Sequence, residues 1–96
     1  MTPEAKVKKK VKEFLKSVDA YYVMPIGTGF GNSGAPDFIA CVRGRFIGIE
    51  CKANGNRVTA LQQDNLDRIE QSGGYAFVVD EINVTDVTQR IKEMFK

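Results

Sequence analysis

The sequence predicts an α/β domain in which a mixed four-stranded sheet is flanked by helices on both faces. Segments with helical spacing of apolar residues alternate with short β-branched and aromatic runs, in the order α-β-β-β-α-β-α. The two central strands are apolar on both sides, so we expect helices to cover both faces of the sheet. At 96 residues the chain is expected to form a single domain, residues 1–96, with one modest core.

The N-terminal part of the chain predicts a helix followed by a short strand. Thr2 is a suitable N-cap and Pro3 suits the first helical position. The inward stripe of this helix is apolar and consists of Val7, Val11, Phe14, Leu15 and Val18. Residues 21–26 predict a strand, which Pro25 shortens.

Residues 37–52 predict a β-hairpin that organises the rest of the domain. Residues 38–42 and 46–51 have strand character, and Arg43-Gly44 lies at the turn between them. A two-residue turn and a four-residue loop over 42–45 both pair Cys41 with Phe46. The same register places Asp37 opposite Glu50.

The end of this hairpin combines two acids and a lysine in a pattern that indicates metal-dependent chemistry. Directly opposed carboxylates repel each other, so Asp37 and Glu50 favour a cation between them. Strand alternation puts Lys52 on the same face as Glu50. Two carboxylates beside an ammonium are the parts of a phosphodiesterase site that uses Mg²⁺ or Mn²⁺. The alternative is a hairpin whose polar ends merely reach water.

The C-terminal part predicts a helix, a strand and a last helix. Thr59 caps the first of these helices, which ends at Gly73-Gly74. Residues 75–80 predict a buried strand, which is expected to run parallel to the second hairpin strand. Asn83 or Thr85 caps the last helix, whose inward residues are Val84, Val87, Ile91 and Phe95.

Two polar residues on helices have both a structural and a functional interpretation. Gln62 lies three residues after Thr59, in capping-box position, but it also lies on the face directed to the sheet. There it could contact Lys52, the attacking water or a phosphate. Glu4 extends the inward stripe of the first helix. It either favours the helix dipole or reaches toward the metal as a further carboxylate.

The glycine-rich segment at residues 27–34 precedes the hairpin and is a candidate substrate contact. It lacks the Gly-Lys-Ser/Thr of a phosphate-binding loop. Its glycines allow the backbone to pass close to a phosphate, and Asn32, Ser33 and Gly34 are the candidate contacts. Simple flexibility is the alternative interpretation.

Charge is distributed unevenly along the chain. Residues 1–57 hold ten Lys or Arg and five acids, whereas residues 58–96 hold four and seven. A basic N-terminal half suits a polyanion such as DNA, with Lys8 and Lys9 of the first helix as candidate contacts. The alternative is a solvated helix face.

The cysteine and histidine content excludes several classes of site. The chain has no His and two Cys, so that His-based zinc sites, His-dependent triads and a four-Cys zinc site are excluded. Cys41 and Cys51 are predicted to point to opposite faces of the hairpin as small buried side chains that cannot form a disulfide. With no membrane-span or signal-peptide pattern, a cytosolic location is expected.

The motifs taken together resemble a known nuclease family. They are S-G-A-P-D-F at residues 33–38, I-E-C-K at 49–52, T-A-L-Q at 59–62 and G-G-Y-A-F-V-V at 73–79, with Glu4 in the first helix. This set resembles the PD-(D/E)xK superfamily with its restriction-endonuclease-like core. More narrowly, it resembles the virus-type replication-repair nuclease (VRR-NUC) domain in a stand-alone, phage-like form. The resemblance extends over nearly the whole chain.

The resemblance implies a role for each matching residue. Asp37, Glu50 and the Cys51 backbone carbonyl would hold Mg²⁺ or Mn²⁺, with Glu4 as an additional acidic ligand. Lys52 would be the catalytic lysine and Gln62 a supporting polar group. Similar stand-alone domains imply a homodimer that cuts branched DNA such as Holliday junctions.

The residues leave two further functions open. One is a restriction-like nuclease that reads a base sequence, although no recognition appendage is evident. The other is a nucleic-acid-binding module that has this fold without catalysis.

Overall fold

The computed structural model describes residues 1–26 and 34–96, which form three helices and four strands in the predicted order. The elements are α1 (Pro3–Ser17), β1 (Tyr21–Val23), β2 (Phe38–Val42), β3 (Arg45–Cys51), α2 (Ala60–Gln71), β4 (Tyr75–Val79) and α3 (Val84–Met94). β1 is shorter than the predicted 21–26, in keeping with Pro25, which cannot donate to a ladder.

The four strands form one mixed sheet in the order β1-β2-β3-β4. β1, β2 and β3 are antiparallel neighbours, and β4 runs parallel to β3 after the crossover through α2. The predicted fold class, a mixed four-stranded sheet with helices on both faces, is confirmed.

The hairpin has the predicted register, and its turn is the two-residue form. Cys41 pairs with Phe46, and Val42 pairs with Arg45, which leaves Arg43 and Gly44 as the turn. Both turn residues have positive φ, 52° and 80°, which matches the right-handed twist of the flanking strands. Arg43 accepts a left-handed conformation that its side chain does not favour.

One face of the sheet packs against α1 and α3 and forms the main core. Alternate residues of β2 and β3 are buried there, because each strand presents every second side chain to this face. The core contains Val7, Val11, Leu15, Phe38, Ala40, Val42, Ile47, Ile49, Cys51, Val79, Val84, Val87, Ile91 and Phe95. The predicted inward stripes of both terminal helices are therefore confirmed.

α2 covers the other face of the sheet at β3, where Gly48 makes the approach possible. A Cβ at Gly48 would lie 2.6 Å from Ile69 Cδ1 and 3.1 Å from Pro36 Cγ. A Cβ at this position would force Ile69 or Pro36 to move, so the glycine permits the close packing of α2 on the strand.

Within residues 1–26 and 34–96, the same face is exposed toward β1 and β2, and this corrects the expectation of a sheet buried on both sides. Four apolar side chains are exposed on this open sheet face: Tyr21, Val23, Cys41 and Phe46. Phe46 retains 50% exposure. The prediction that Cys41 is buried was wrong, because α2 packs mainly on β3 and β4. Both cysteines are free, as expected.

Candidate active site

Asp37 lies directly before β2 and is tied by its side chain to the end of β3. Its Oδ2 accepts a hydrogen bond from the Cys51 backbone N–H at 2.8 Å. This bond holds the carboxylate beside Glu50. Phe38 pairs with Ile49, so Asp37 and Glu50 are the next residues along the two hairpin strands. The structure thus brings Asp37 and Glu50 together as predicted.

Glu50, beside Asp37, is a buried carboxylate with 4% of its surface exposed. Burial raises its pKa from 4.5 to about 7, and the negative charge of Asp37 contributes to the rise. The Lys52 ammonium acts in the opposite direction but does not cancel these effects. The repulsion expected from opposed carboxylates is therefore present at this site.

Lys52 extends the same face by one strand repeat and pairs with Glu50. Its Nζ lies 3.8 Å from Glu50 Oε2, and its side chain is 14% exposed. The Lys52 backbone N–H donates to the Val79 carbonyl at 2.8 Å, so the parallel ladder continues past the end of β3 and holds the lysine in place.

Cys51 separates these two residues and points into the core on the opposite face. Its thiol is fully buried. Burial, with the charges of Asp37 and Glu50, raises the pKa of the thiol far above its ordinary value, so the group stays neutral. Its role is that of a packed side chain, and metal ligation by its backbone carbonyl stays a prediction.

Lys8 connects α1 to the hairpin carboxylates. Its Nζ lies 3.4 Å from Glu4 Oε2 and 3.5 Å from Asp37 Oδ1. Partial burial lowers the pKa of Lys8, but the charges of Asp37 and Glu4 outweigh that effect and raise the pKa above its ordinary value. Glu4 is thus connected to Asp37 by Lys8, which forms an ion pair with each of the two carboxylates.

This placement of Lys8 was not foreseen from the sequence, which assigned it to a basic DNA-contacting face. Lys9 is exposed, and its contact with DNA stays a prediction. The i, i+4 spacing of Glu4 and Lys8 was an available signal, since such pairs meet on a helix surface. The contact with Asp37 depends on how α1 docks and had no sequence signal.

Gln62 forms the capping box that one of its two interpretations predicted. Its Oε1 accepts from the Thr59 N–H at 2.9 Å, and Thr59 Oγ1 accepts from the Gln62 N–H at 3.1 Å. The side-chain oxygen is therefore engaged in the start of α2. A catalytic role for Gln62 stays a prediction.

Among the glycine-rich candidates, Asn32 and Ser33 lie outside the described residues. Gly34 is buried against α2, where a Cβ would lie 2.5 Å from Asn65 Nδ2 and 2.6 Å from Leu61 Cγ. Close packing therefore explains a glycine at this position, and a contact with substrate stays a prediction.

The described part of the chain has two further properties that bear on function. Within residues 1–26 and 34–96, no group of three or more His, Cys, Asp or Glu side chains is arranged to hold a metal ion. Across the same ranges, no helix combines the length and apolarity needed to cross a membrane.

The fold and the hairpin site define an α/β domain of the restriction-endonuclease-like class. A solved structure described as "VRR_NUC domain" matches it with a TM-score of 0.76 at 22% identity, over 100% of both chains. The chain therefore has the fold of a VRR-NUC domain. No protein-family model and no curated protein matches the sequence.

Proposed function

We propose that this protein is a Mg²⁺- or Mn²⁺-dependent endodeoxyribonuclease. The observation that carries the proposal is the convergence of Asp37 and Glu50 beside Lys52 at the end of the hairpin. The VRR-NUC fold supports the same function, because its similarity extends over the whole chain.

The donor chemistry of the site fits a hard divalent cation. Asp37 and Glu50 offer carboxylate oxygens, which Mg²⁺ and Mn²⁺ prefer. Burial, with the negative charge of Asp37, raises the pKa of Glu50, and a divalent ion beside the two carboxylates would counter both effects. Asp37, Glu50 and the Cys51 carbonyl would hold the ion, with Glu4 as the additional acid. When bound, such an ion supplies Lewis acidity toward water and phosphate.

The residues of the chain have separate tasks in phosphodiester hydrolysis. The Cys51 N–H fixes the orientation of Asp37, which preorganises one carboxylate before substrate binds. Lys52 presents an ammonium from a mostly buried position, where its charge is little screened. It would orient the attacking water or stabilise the negative charge that develops on the phosphate.

The proposed substrate is DNA with a branched structure, such as a Holliday junction. The excess of Lys and Arg in residues 1–57 supports binding to a polyanion. The resemblance to stand-alone VRR-NUC domains supports the preference for branches.

A homodimer belongs to the same proposal, since two copies related by a two-fold axis can cut two strands symmetrically. We assign the contact to the open sheet face, because it is apolar and uncharged and therefore suits a copy of itself. Light scattering after size-exclusion chromatography tests this assignment. We expect a dimer for the parent and a monomer for Phe46→Glu, and a monomeric parent would contradict it.

A nicking assay on four-way and duplex DNA tests the function. With Mg²⁺ or Mn²⁺ the parent should cut the junction faster than the duplex, and Asp37→Ala should slow cleavage by roughly two orders of magnitude or more. Glu70→Gln, an exposed acid on α2, is the matched control and should cut like the parent.

Each other outcome of this assay points to a different function. If Asp37→Ala cuts as fast as the parent, the mechanism is wrong. Tight, salt-dependent DNA binding without cleavage under either ion would indicate a binding module. Cleavage confined to one base sequence in duplex DNA would indicate a restriction-like enzyme.

A further inference from the structure

Lys8 is placed between the carboxylates of two different elements. Glu4 belongs to α1 and Asp37 to the hairpin, and the Lys8 ammonium lies 3.4 Å from one and 3.5 Å from the other. Within residues 1–26 and 34–96, it is the one cation that forms ion pairs with two carboxylates. Its side chain is 34% exposed, so the pairs are partly screened by solvent.

The two oxygens of Asp37 have different partners. Oδ2 accepts from the Cys51 N–H, which is part of the backbone framework of the hairpin. Oδ1 faces Lys8, whose flexible side chain is the partner that can be exchanged. A cation that binds Asp37 through Oδ1 would therefore compete with the Lys8 ammonium for that oxygen.

The same position supplies a positive charge between an acid of α1 and an acid of the hairpin. Removing Lys8 would take away the cation between Glu4 and Asp37, and Asp37 also repels Glu50.

We propose that Lys8 is an internal counter-ion that neutralises Asp37 and Glu4 in the metal-free protein and competes with the divalent ion for Asp37. This inference rests on the proposed function, because it takes Asp37 and Glu50 as the metal site. It adds a determinant of metal affinity outside the PD…ExK residues. Lys8 acts here as a positioning residue, which orients carboxylates and does not itself react.

The test compares Lys8→Met with Lys9→Met in Mn²⁺ titrations followed by electron paramagnetic resonance, at pH 8 and without DNA. Methionine keeps the helix propensity and length of the side chain and removes its charge. Lys9 is the matched control, since it is the next residue of α1 and is exposed. We expect Lys8→Met to bind Mn²⁺ roughly 2- to 30-fold more tightly than the parent, as two partly exposed ion pairs allow.

Thermal unfolding gives a second measurement that does not depend on activity. In EDTA, Lys8→Met should melt below the parent because its acids repel each other. Saturating Mn²⁺ should bring the two melting temperatures together, because the bound ion takes over the neutralisation. Lys9→Met should follow the parent in both conditions.

The outcomes separate this inference from the proposed function. If the parent binds Mn²⁺ and Lys8→Met binds it equally or more weakly, or Lys9→Met tightens binding as much, Lys8 is not a competitor. If neither the parent nor Lys8→Met binds Mn²⁺, the metal-dependent function fails and this inference fails with it. Binding by Lys8→Met alone would support the competition.

Discussion

Replacing Glu50 with glutamine should stabilise the metal-free protein while abolishing its activity. Glu50 is buried beside Asp37, and its pKa is raised from 4.5 to about 7. The folded state therefore favours the protonated form. The free energy of unfolding falls as the pH rises from about 4.5 to about 7, and it stays low at higher pH.

The size of the effect follows from the shift in pKa. The shift, from 4.5 to about 7, corresponds to roughly 3 kcal/mol when Glu50 is fully ionised. Between pH 5 and pH 8 the same linkage lowers the stability of the parent by roughly 2–3 kcal/mol. Glu50→Gln removes this pH-dependent term. It also removes the ion-pair partner of Lys52, so the change with pH is more informative than the absolute stability.

Urea unfolding in EDTA, at several pH values from 5 to 8, measures the free energy of unfolding of Glu50→Gln and of the parent. We expect the stability of the variant to rise by roughly 2–3 kcal/mol relative to the parent between pH 5 and pH 8. Glu70→Gln is the control for a carboxylate exposed on α2 and should show no such gain. If the difference in unfolding free energy between variant and parent changes by less than about 0.5 kcal/mol from pH 5 to pH 8, the reasoning is refuted, because burial and repulsion would then not act on Glu50.

Three further predictions concern metal binding, catalysis and packing. Mn²⁺ affinity should rise up to about tenfold per pH unit below pH 7 and level off above it, because Glu50 loses its proton in this range. An Mn²⁺ affinity that does not change with pH would contradict this. Lys52→Met should lower kcat by roughly 10²–10³-fold at saturating Mn²⁺, and unchanged single-turnover rates would exclude Lys52 from catalysis. Gly48→Ala should destabilise the protein by about 1–3 kcal/mol in urea unfolding, since its Cβ would meet Ile69 at 2.6 Å; parent-like stability would show that α2 can shift.

The candidate site divides into a part that local sequence predicts and a part that it does not. Turn position and strand alternation place Asp37, Glu50 and Lys52 together, because a register shift of one residue would turn every core side chain of the hairpin outward. The ion pair of Lys8 with Asp37 joins residues 29 positions apart in the chain. The periodicity of the sequence does not predict such a contact, because the contact depends on how a whole helix docks.

The sequence by itself determined the order of the elements, the caps at Thr2 and Thr59 and the register of the hairpin. All of these depend on interactions between residues a few positions apart, or on the pairing of adjacent strands across a short turn. They are local, and the residue types that satisfy them can be recognised in the sequence.

Only the tertiary structure decided which parts of the sheet are covered and which charges meet. α2 packs on Gly48 and leaves Cys41 and Phe46 exposed, although all three lie on one face with the same strand pattern. α1 docks so that Lys8 meets Asp37. The physical reason is that the position of a helix depends on the packing of many side chains together. The apolar pattern of a strand predicts only that its face can be covered, and not which element covers it.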